Sequence, residues 1–249
     1  MKKIILITTA LLFTACVGTT PVTNRSQVLL MSPTEENALG AKGYEEFLST
    51  AKLSTDKKQT QRIKTIGQKI AVAADRKDFA WEFNLVDDEQ INAFCMPGGK
   101  VVVYTGILAM AHNDDQLATV MSHEIAHALA RHGAERMSHQ KISSGVQNLG
   151  NILVQATAPE YTSAFNTAYG YGTQLGVMLP YSRSHEYEAD EIGIHLMKKA
   201  GYNINEAIAF WKNMKQAKGA GQPEFLSTHP NDDNRIQRIT EIVNEINKK

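Results

Sequence analysis

Residues Met121–Gly133 read MSHEIAHALARHG, with two histidines four residues apart and a glutamate directly after the first. Whether this segment is one helix, and what its polar side faces, decides the fold around it. At about 100° per residue, measured from Leu117, the apolar Ala118, Met121, Ile125, Ala128 and Leu129 fall within a stripe roughly 120° wide. His123 and His127 land about 40° apart on the far side, away from the apolar core. Glu124 falls between the pair and the stripe, where it can reach a molecule held by the histidines. H-E-x-x-H on a helix presents two imidazoles at zinc-binding spacing. The competing reading is a solvated polar face, which requires no third ligand elsewhere.

A hydrolytic zinc site uses three protein ligands and keeps one position open for water, and His/His/Glu is one such set. Residues 181–201, YSRSHEYEADEIGIHLMKKAG, supply acidic residues at helical spacing. On the wheel Glu186, Asp190, Gly193 and Met197 share one face, with Glu188, His195 and Lys199 opposite. Gly193 admits a close neighbouring helix, whereas the Glu188 face reads as solvated. Glu186 is therefore expected to be the third ligand. Asp190, one turn on, is placed to accept the free ring N–H of a ligating histidine and fix its tautomer; a salt bridge along the helix is the alternative. His132 and His139 fall outside the ligand spacing and read as helix-end, solvent-facing residues. His112, His185 and His195 read the same way.

The 249-residue chain balances 26 Lys and Arg against 26 Asp and Glu, so no basic field is present to hold nucleic acid. Its length suits one globular domain. Lys2-Lys3, the ten-residue apolar run IILITTALLF and the small residues before Cys16 have the anatomy of a secretory signal peptide. The run is shorter than the ~20 residues that cross a bilayer. FTAC resembles the bacterial lipoprotein box, which implies removal of residues 1–15 and lipidation of Cys16. Val17 after that cysteine resembles the sorting pattern for the outer membrane. Residues 16–31 are expected to be a lipid-anchored tether and residues 32–249 the domain. With Cys16 lipidated, Cys95 has no partner in the chain and a disulfide framework is excluded. In the context NAFCMPGG it reads as a small buried hydrophobe.

Ser32 as N-cap, Pro33 at the first helical position and Glu35 three residues after the cap predict a helix over about 33–50. A second helix is expected within 54–74, then strands in WEFNLVDD and KVVVYTG, the latter after the Pro97-Gly98-Gly99 turn. Helices follow at about 114–132, 138–157, 183–200 and 203–217, with a last one from near Asp232. The sum is an α+β fold, mainly helical, with a small sheet. KVVVYTG reads either as an edge strand on which an extended substrate can pair or as a core strand. The Gly/Tyr/Ser-rich residues 143–179 read as a lid or as helix.

HEIAH, EYEAD and THPNDDNRI, preceded by NAFCMPGGKVVVYTGIL, resemble in this order the HtpX-like and Oma-like zinc metallopeptidases of the CAAX-prenyl-protease superfamily, which are gluzincins. The likeness runs from about Glu36 to Ile239. It implies a gluzincin fold with the small sheet or edge strand beside the zinc helix, and one Zn2+ per chain held by His123, His127 and Glu186. Glu124 is then the general base on the attacking water, with Asp190 in support. His229, of the family's His-Pro pair, either donates to the oxyanion or closes the open position as a fourth ligand; a surface residue is the alternative. Arg235 either positions substrate or caps the last helix. Cys95 departs from the usual alanine in NAFAxPGG. Membrane spans are missing, so contact with a membrane is expected through the lipid anchor alone. The helical-repeat extension of some secreted relatives is also missing after RIQRITEIVNEINKK. The expected function is zinc-dependent cleavage of unfolded or misassembled envelope proteins in the periplasm, with the oligomeric state left open. A catalytically silent, chaperone-like binding factor and a hydrolase of small amides are the alternatives.

Overall fold

The computed structural model describes residues 16–174, 178–216, 224–229 and 233–248. Residues 1–15, expected to be a signal peptide, and Pro230 lie outside the described residues. The chain opens on an antiparallel hairpin of β1 (Cys16–Thr19) and β2 (Ser26–Leu29), with Cys16 opposite Leu29. Helix α1 (Pro33–Leu48) begins with the expected reciprocal cap, in which Glu35 accepts from the Ser32 amide at 2.8 Å. Helix α2 (Lys57–Ala74) starts at the N-cap Asp56 and buries Ile63, Ile66, Ile70 and Ala73, one stripe at helical spacing.

That stripe belongs to the same core as a three-stranded sheet of β3 (Glu82–Val86), β4 (Ala93–Met96) and β5 (Lys100–Tyr104), in the order β3-β5-β4. Strand β5 pairs parallel to β3 and antiparallel to β4. The reading of KVVVYTG as an edge is thus corrected. All five residues of β5 are buried, because a central strand of a covered sheet is apolar on both faces. The edge is β4, whose residues AFCM had not been separated from the turn that follows. Gly98 and Gly99 make that turn with φ of 81° and 83°, in the left-handed region that favours glycine.

Helix α3 (Asp114–Leu129) lies against β4, β5, α2 and the later helices. Thirteen of its sixteen residues are buried, so the face opposite its apolar stripe is covered by protein instead of solvent. Helices α4 (His132–Thr157) and α5 (Thr162–Thr173) form an antiparallel pair filling most of the Gly/Tyr/Ser-rich stretch. They are followed by α6 (Leu179–Lys199), α7 (Glu206–Gln216), the short α8 (Glu224–Thr228) and α9 (Asp233–Asn247). None of the helices among the described residues is long and apolar enough to cross a membrane.

The expected tether is folded. Arg25, after β1, reaches Glu135 at 2.8 Å and Glu188 at 2.7 Å, and Gln27 is buried with its amide on the Ala130 carbonyl at 2.5 Å. Thr20 and Thr23 also donate to Glu188. This hairpin is what covers the Glu188 face of α6. Glu188 is buried and not solvated as its helical wheel suggested, because a wheel identifies which residues share a face but not what packs on it.

Candidate active site and metal centre

Helix α6 crosses α3 at Gly193, where an added Cβ would stand 3.2 Å from the His123 amide nitrogen and 3.3 Å from its Cα. A side chain there would hold the two helices apart. The crossing brings the Glu186 carboxylate to His123 Nε2 at 3.3 Å and to His127 Nε2 at 3.3 Å, with the two ring nitrogens 3.2 Å apart. His229, after α8, completes the cluster: its Nδ1 lies 3.2 Å from His123 Nε2 and 3.0 Å from Glu186 Oε2. Ligands at 2.0–2.1 Å around a tetrahedral zinc ion are separated by about 3.3 Å. The separations given above, 3.0 to 3.3 Å, are close to that value, and one ligand atom from each of the four side chains lies within 4.8 Å of the others.

Both histidines are oriented from behind. His123 Nδ1 is 3.0 Å from Asp190 Oδ1, so it donates there and turns Nε2 toward the cluster. Asp190 is itself gripped by Arg235, with Nε at 2.7 Å and a second nitrogen at 2.8 Å. The guanidinium is fully buried, lies 3.6 Å over the Trp211 ring and also reaches Glu186 at 3.2 Å. Neither alternative raised for Arg235, substrate positioning or a helix cap, describes this contact set.

His127 is held by a residue the sequence reading set aside. His127 Nδ1 lies 2.9 Å from His132 Nδ1, and His132 Nε2 lies 3.0 Å from Glu188 Oε2. His132 is buried, stacks on His185 at 4.0 Å between centroids, and His185 in turn reaches Glu135 at 3.1 Å. The solvent-facing reading of His132 and His185 is therefore corrected. It missed them because the groups that cover them, the Glu135 side of α4 and the hairpin carrying Arg25, lie far away in sequence. His112 is exposed and His139 and His195 are half-buried.

Burial keeps the His132 imidazole neutral, lowering its pKa to about 4 against the pull of Glu188. Burial lowers His127 well below the ordinary imidazole value too. For His123 the carboxylates of Asp190 and Glu186 outweigh burial and raise it to about 9, so metal uptake there displaces a proton. Burial favours the neutral Glu186 carboxyl, yet the surrounding imidazoles, His127 foremost, hold it well below the usual carboxylate range. Glu124 moves the other way: burial raises its carboxyl, with His229 and His123 opposing. Its Oε1 is buried without a hydrogen-bond partner, 3.5 Å from His229 Nε2. An orphaned carboxylate oxygen beside a cluster of ligand atoms is the arrangement expected of a base awaiting water.

The cluster opens into a cleft of 390 Å3 lined by Cys95, Pro97, His127, His132, Glu186 and His229, among others. Cys95 is half-buried on its wall, with burial pushing the thiol pKa up, so it is less enclosed than expected and no more reactive. The structure thus brings together His123, His127, Glu186, Glu124, Asp190 and His229. It adds Arg235, His132 and Glu188. Cys16 starts β1 and is not a member of this cluster.

Comparison with known proteins places this geometry. The profile of peptidase family M48 matches residues 57–243. The chain is 32% identical over 234 residues to the mitochondrial metalloendopeptidase OMA1 of Schizosaccharomyces pombe, covering 92% of this chain and 67% of that protein. It is 33% identical over 266 residues to the Saccharomyces cerevisiae protein of the same name, covering 96% and 74%. To the beta-barrel assembly-enhancing protease of Escherichia coli it is 30% identical over 239 residues, covering 94% of this chain and 49% of the other. The chain therefore spans about half the length of the bacterial relative and about two thirds or more of the yeast ones. On the extent of these matches, the chain belongs to peptidase family M48.

Proposed function

We propose that His123, His127 and Glu186 hold a zinc ion and that the domain hydrolyses peptide bonds. The observation that carries this reading is the set of ligand-to-ligand separations, 3.0 to 3.3 Å, beside the partnerless oxygen of Glu124. Zinc in that position supplies a Lewis acid for the peptide carbonyl and makes a water acidic near neutral pH. Glu124 takes the water's proton on Oε1 and passes it to the departing amine, a task suited to a carboxyl whose pKa burial has raised. Asp190 and Arg235 hold His123, while His132 and Glu188 hold His127. His229, with Nδ1 3.2 Å from His123 Nε2, would either serve as a fourth ligand or donate to the oxyanion of the substrate. Among the described residues the outer side of β4 pairs with no strand, and Cys95 and Pro97 put that edge on the cleft wall. An extended substrate added there gains backbone hydrogen bonds with little sequence preference.

The address is part of the same proposal. Cys16 is the lipidated first residue of the mature chain, which faces the periplasm from the outer membrane. Its substrates are unfolded or misassembled envelope proteins. The signal-peptide anatomy of residues 1–16 supports this, as does similarity to a relative named for assembling β-barrels. The test is to prepare the mature chain, measure bound zinc, and compare cleavage of an unfolded protein by wild type and Glu124→Gln. Zinc at one per chain, with cleavage abolished in the variant, is the expected result. Cleavage by the variant would refute the base, active zinc-free protein would refute the site, and a zinc-loaded but inert wild type would favour the chaperone-like reading.

A further inference from the structure

The α4–α5 pair is built inside out. Across its interface Gln147 and Asn151 both donate to Asn166, at 2.8 and 3.0 Å, and the Tyr169 hydroxyl donates to the Ser143 carbonyl at 2.9 Å. On the outer surface of α4, Ile142, Val146, Leu149 and Leu153 follow one another at spacings of four, three and four. That spacing is one helix face, and Ile152 stands beside it. Leu149, Ile152 and Leu153 are 70%, 65% and 64% exposed. A helical pair in water buries its apolar face and leaves amides outside. The reverse order, amides bonded between helices and apolar side chains outward, suits surroundings as apolar as leucine.

Charge follows the same division. From Ile142 to Ser182 the sequence holds one charged residue, Glu160, in a chain that is 21% charged. The exposed polar residues around the apolar face, Ser144, Asn148, Gln155 and Ser163 among them, are uncharged, so lipid contact there strands no ion. Tyr161 and Tyr171 are exposed at opposite ends of the α5 segment, 62% and 69%, with the amphipathic rings that sit at a membrane surface. The exposed part of α4, residues 142–157, is about 24 Å long at 1.5 Å per residue and falls short of the ~30 Å hydrocarbon core. The pair is too short to cross the bilayer, and with one apolar face and Glu160 at its tip it suits lying along a single leaflet.

We infer that the α4–α5 pair inserts its apolar face into the acyl region of a lipid bilayer, as a second membrane contact independent of any lipid on the chain. The N-terminal hairpin agrees with this placement. Leu30, next to the residue paired with Cys16, donates its amide to Ser138 on α4 at 2.9 Å, one turn before Ile142. The strand that starts at Cys16 is thus rooted at the base of the helical pair. The inserted pair also leads directly into α6 and Glu186, which sets the cleft at the membrane surface.

The test uses the whole mature chain with Cys16→Ser, so that no acyl group is attached, and neutral vesicles of phosphatidylcholine and phosphatidylethanolamine. This protein is expected to float with the vesicles and to stay bound in high salt, since no charge attraction is involved. The triple variant Leu149→Glu, Ile152→Glu, Leu153→Glu alters exposed positions only. It is expected to keep its circular dichroism spectrum and its cleavage of a soluble unfolded substrate. Its vesicle partitioning should fall by at least about 100-fold, each buried apolar side chain contributing roughly tenfold. An indole introduced by Leu149→Trp is expected to be quenched by brominated acyl chains. Cys16→Ser protein that stays in solution with an unquenched indole overturns the inference. So does a wild-type oligomer that the triple variant dissociates without any vesicle binding, which would assign the face to a second copy. The two outcomes that overturn the inference are both read without peptidase activity.

Discussion

Replacing His132 by phenylalanine isolates the support of one metal ligand. Phenylalanine keeps a ring to stack on His185 and nearly the same volume, but it removes both the 2.9 Å contact to His127 and the 3.0 Å contact to Glu188. With zinc on Nε2, His127 must carry its proton on Nδ1, and in the variant that buried donor faces carbon. An unpaired buried donor costs about 1–3 kcal/mol. Without metal, His127 can move the proton to Nε2, 3.3 Å from Glu186, so most of the cost falls on the metal-bound state alone. Zinc binding should therefore weaken by about 10- to 100-fold, which is also the usual effect of removing an outer-shell partner. Glu188 stays bonded to Arg25, Thr20 and Thr23, so its charge is not stranded and the metal-free fold loses about 2 kcal/mol or less.

The assay is a zinc competition against a chelating dye, with thermal melts in chelator and in excess zinc. The gain in stability from saturating zinc should shrink by about 1.4–2.7 kcal/mol in the variant. A folded His132→Phe protein that binds zinc as tightly as wild type would show that His127 needs no support from His132. A Glu188→Gln control keeps an acceptor for the His132 ring proton and is expected to lose less.

Two further predictions concern the clasp around that relay. Arg25→Ala leaves Glu135 and Glu188, both buried, without their shared guanidinium. Arg25 is itself 30% exposed and each carboxylate keeps other hydrogen bonds, so the loss should be about 1–3 kcal/mol, read as a lower denaturation midpoint at unchanged slope; a change near zero would refute the structural role of the hairpin. Stability should also fall in mild acid. His132 titrates at about 4 in the fold against 6.5 unfolded, so the unfolded chain takes up its proton first and stability drops as pH falls from 6.5 to 4, by about 3 kcal/mol. Glu188, held below its ordinary value, contributes stability above pH 4.5 that is lost as acidity increases further. Melts in chelator across pH 4 to 7 check this, and a flat profile, or a slope undiminished in His132→Phe, would contradict it.

What could be read from sequence was whatever depends on periodicity within one element. The H-E-x-x-H spacing, the reciprocal cap at Ser32 and Glu35, and the shared face of Glu186, Asp190 and Gly193 each follow from 3.6 residues per turn, and each stands in the structure. What could not be read was whatever depends on coverage from a distant segment. KVVVY gave no sign of its parallel partner, and the Thr- and Pro-containing residues 17–31 gave no periodicity because a short two-stranded hairpin needs little. Having read those residues as a tether, nothing remained to cover Glu188, and with Glu188 assigned to solvent, His132 lost its reason to be buried. One misplaced segment accounts for both misread residues.

The acidic residues of EYEAD act as a unit once the hairpin is in place. Glu186 faces the ligand nitrogens, and Asp190, one turn later on the same side, reaches the Nδ1 of His123 directly. Glu188 lies about 200° around the helix from Glu186, too far to touch His127 from its own side. His132 bridges that gap: it follows α3 by only a few residues, turns back through Arg131 in the left-handed conformation, and presents one ring nitrogen to each partner. The two imidazoles proposed as ligands, on one helix face, thus draw support from opposite faces of a second helix. The face without a direct approach needs an intermediate histidine, kept neutral by burial, and an arginine from outside the domain core to hold the carboxylate behind it. On this reasoning the N-terminal hairpin is part of the metal centre, and cleavage by the mature chain requires residues well before the first that the peptidase profile matches.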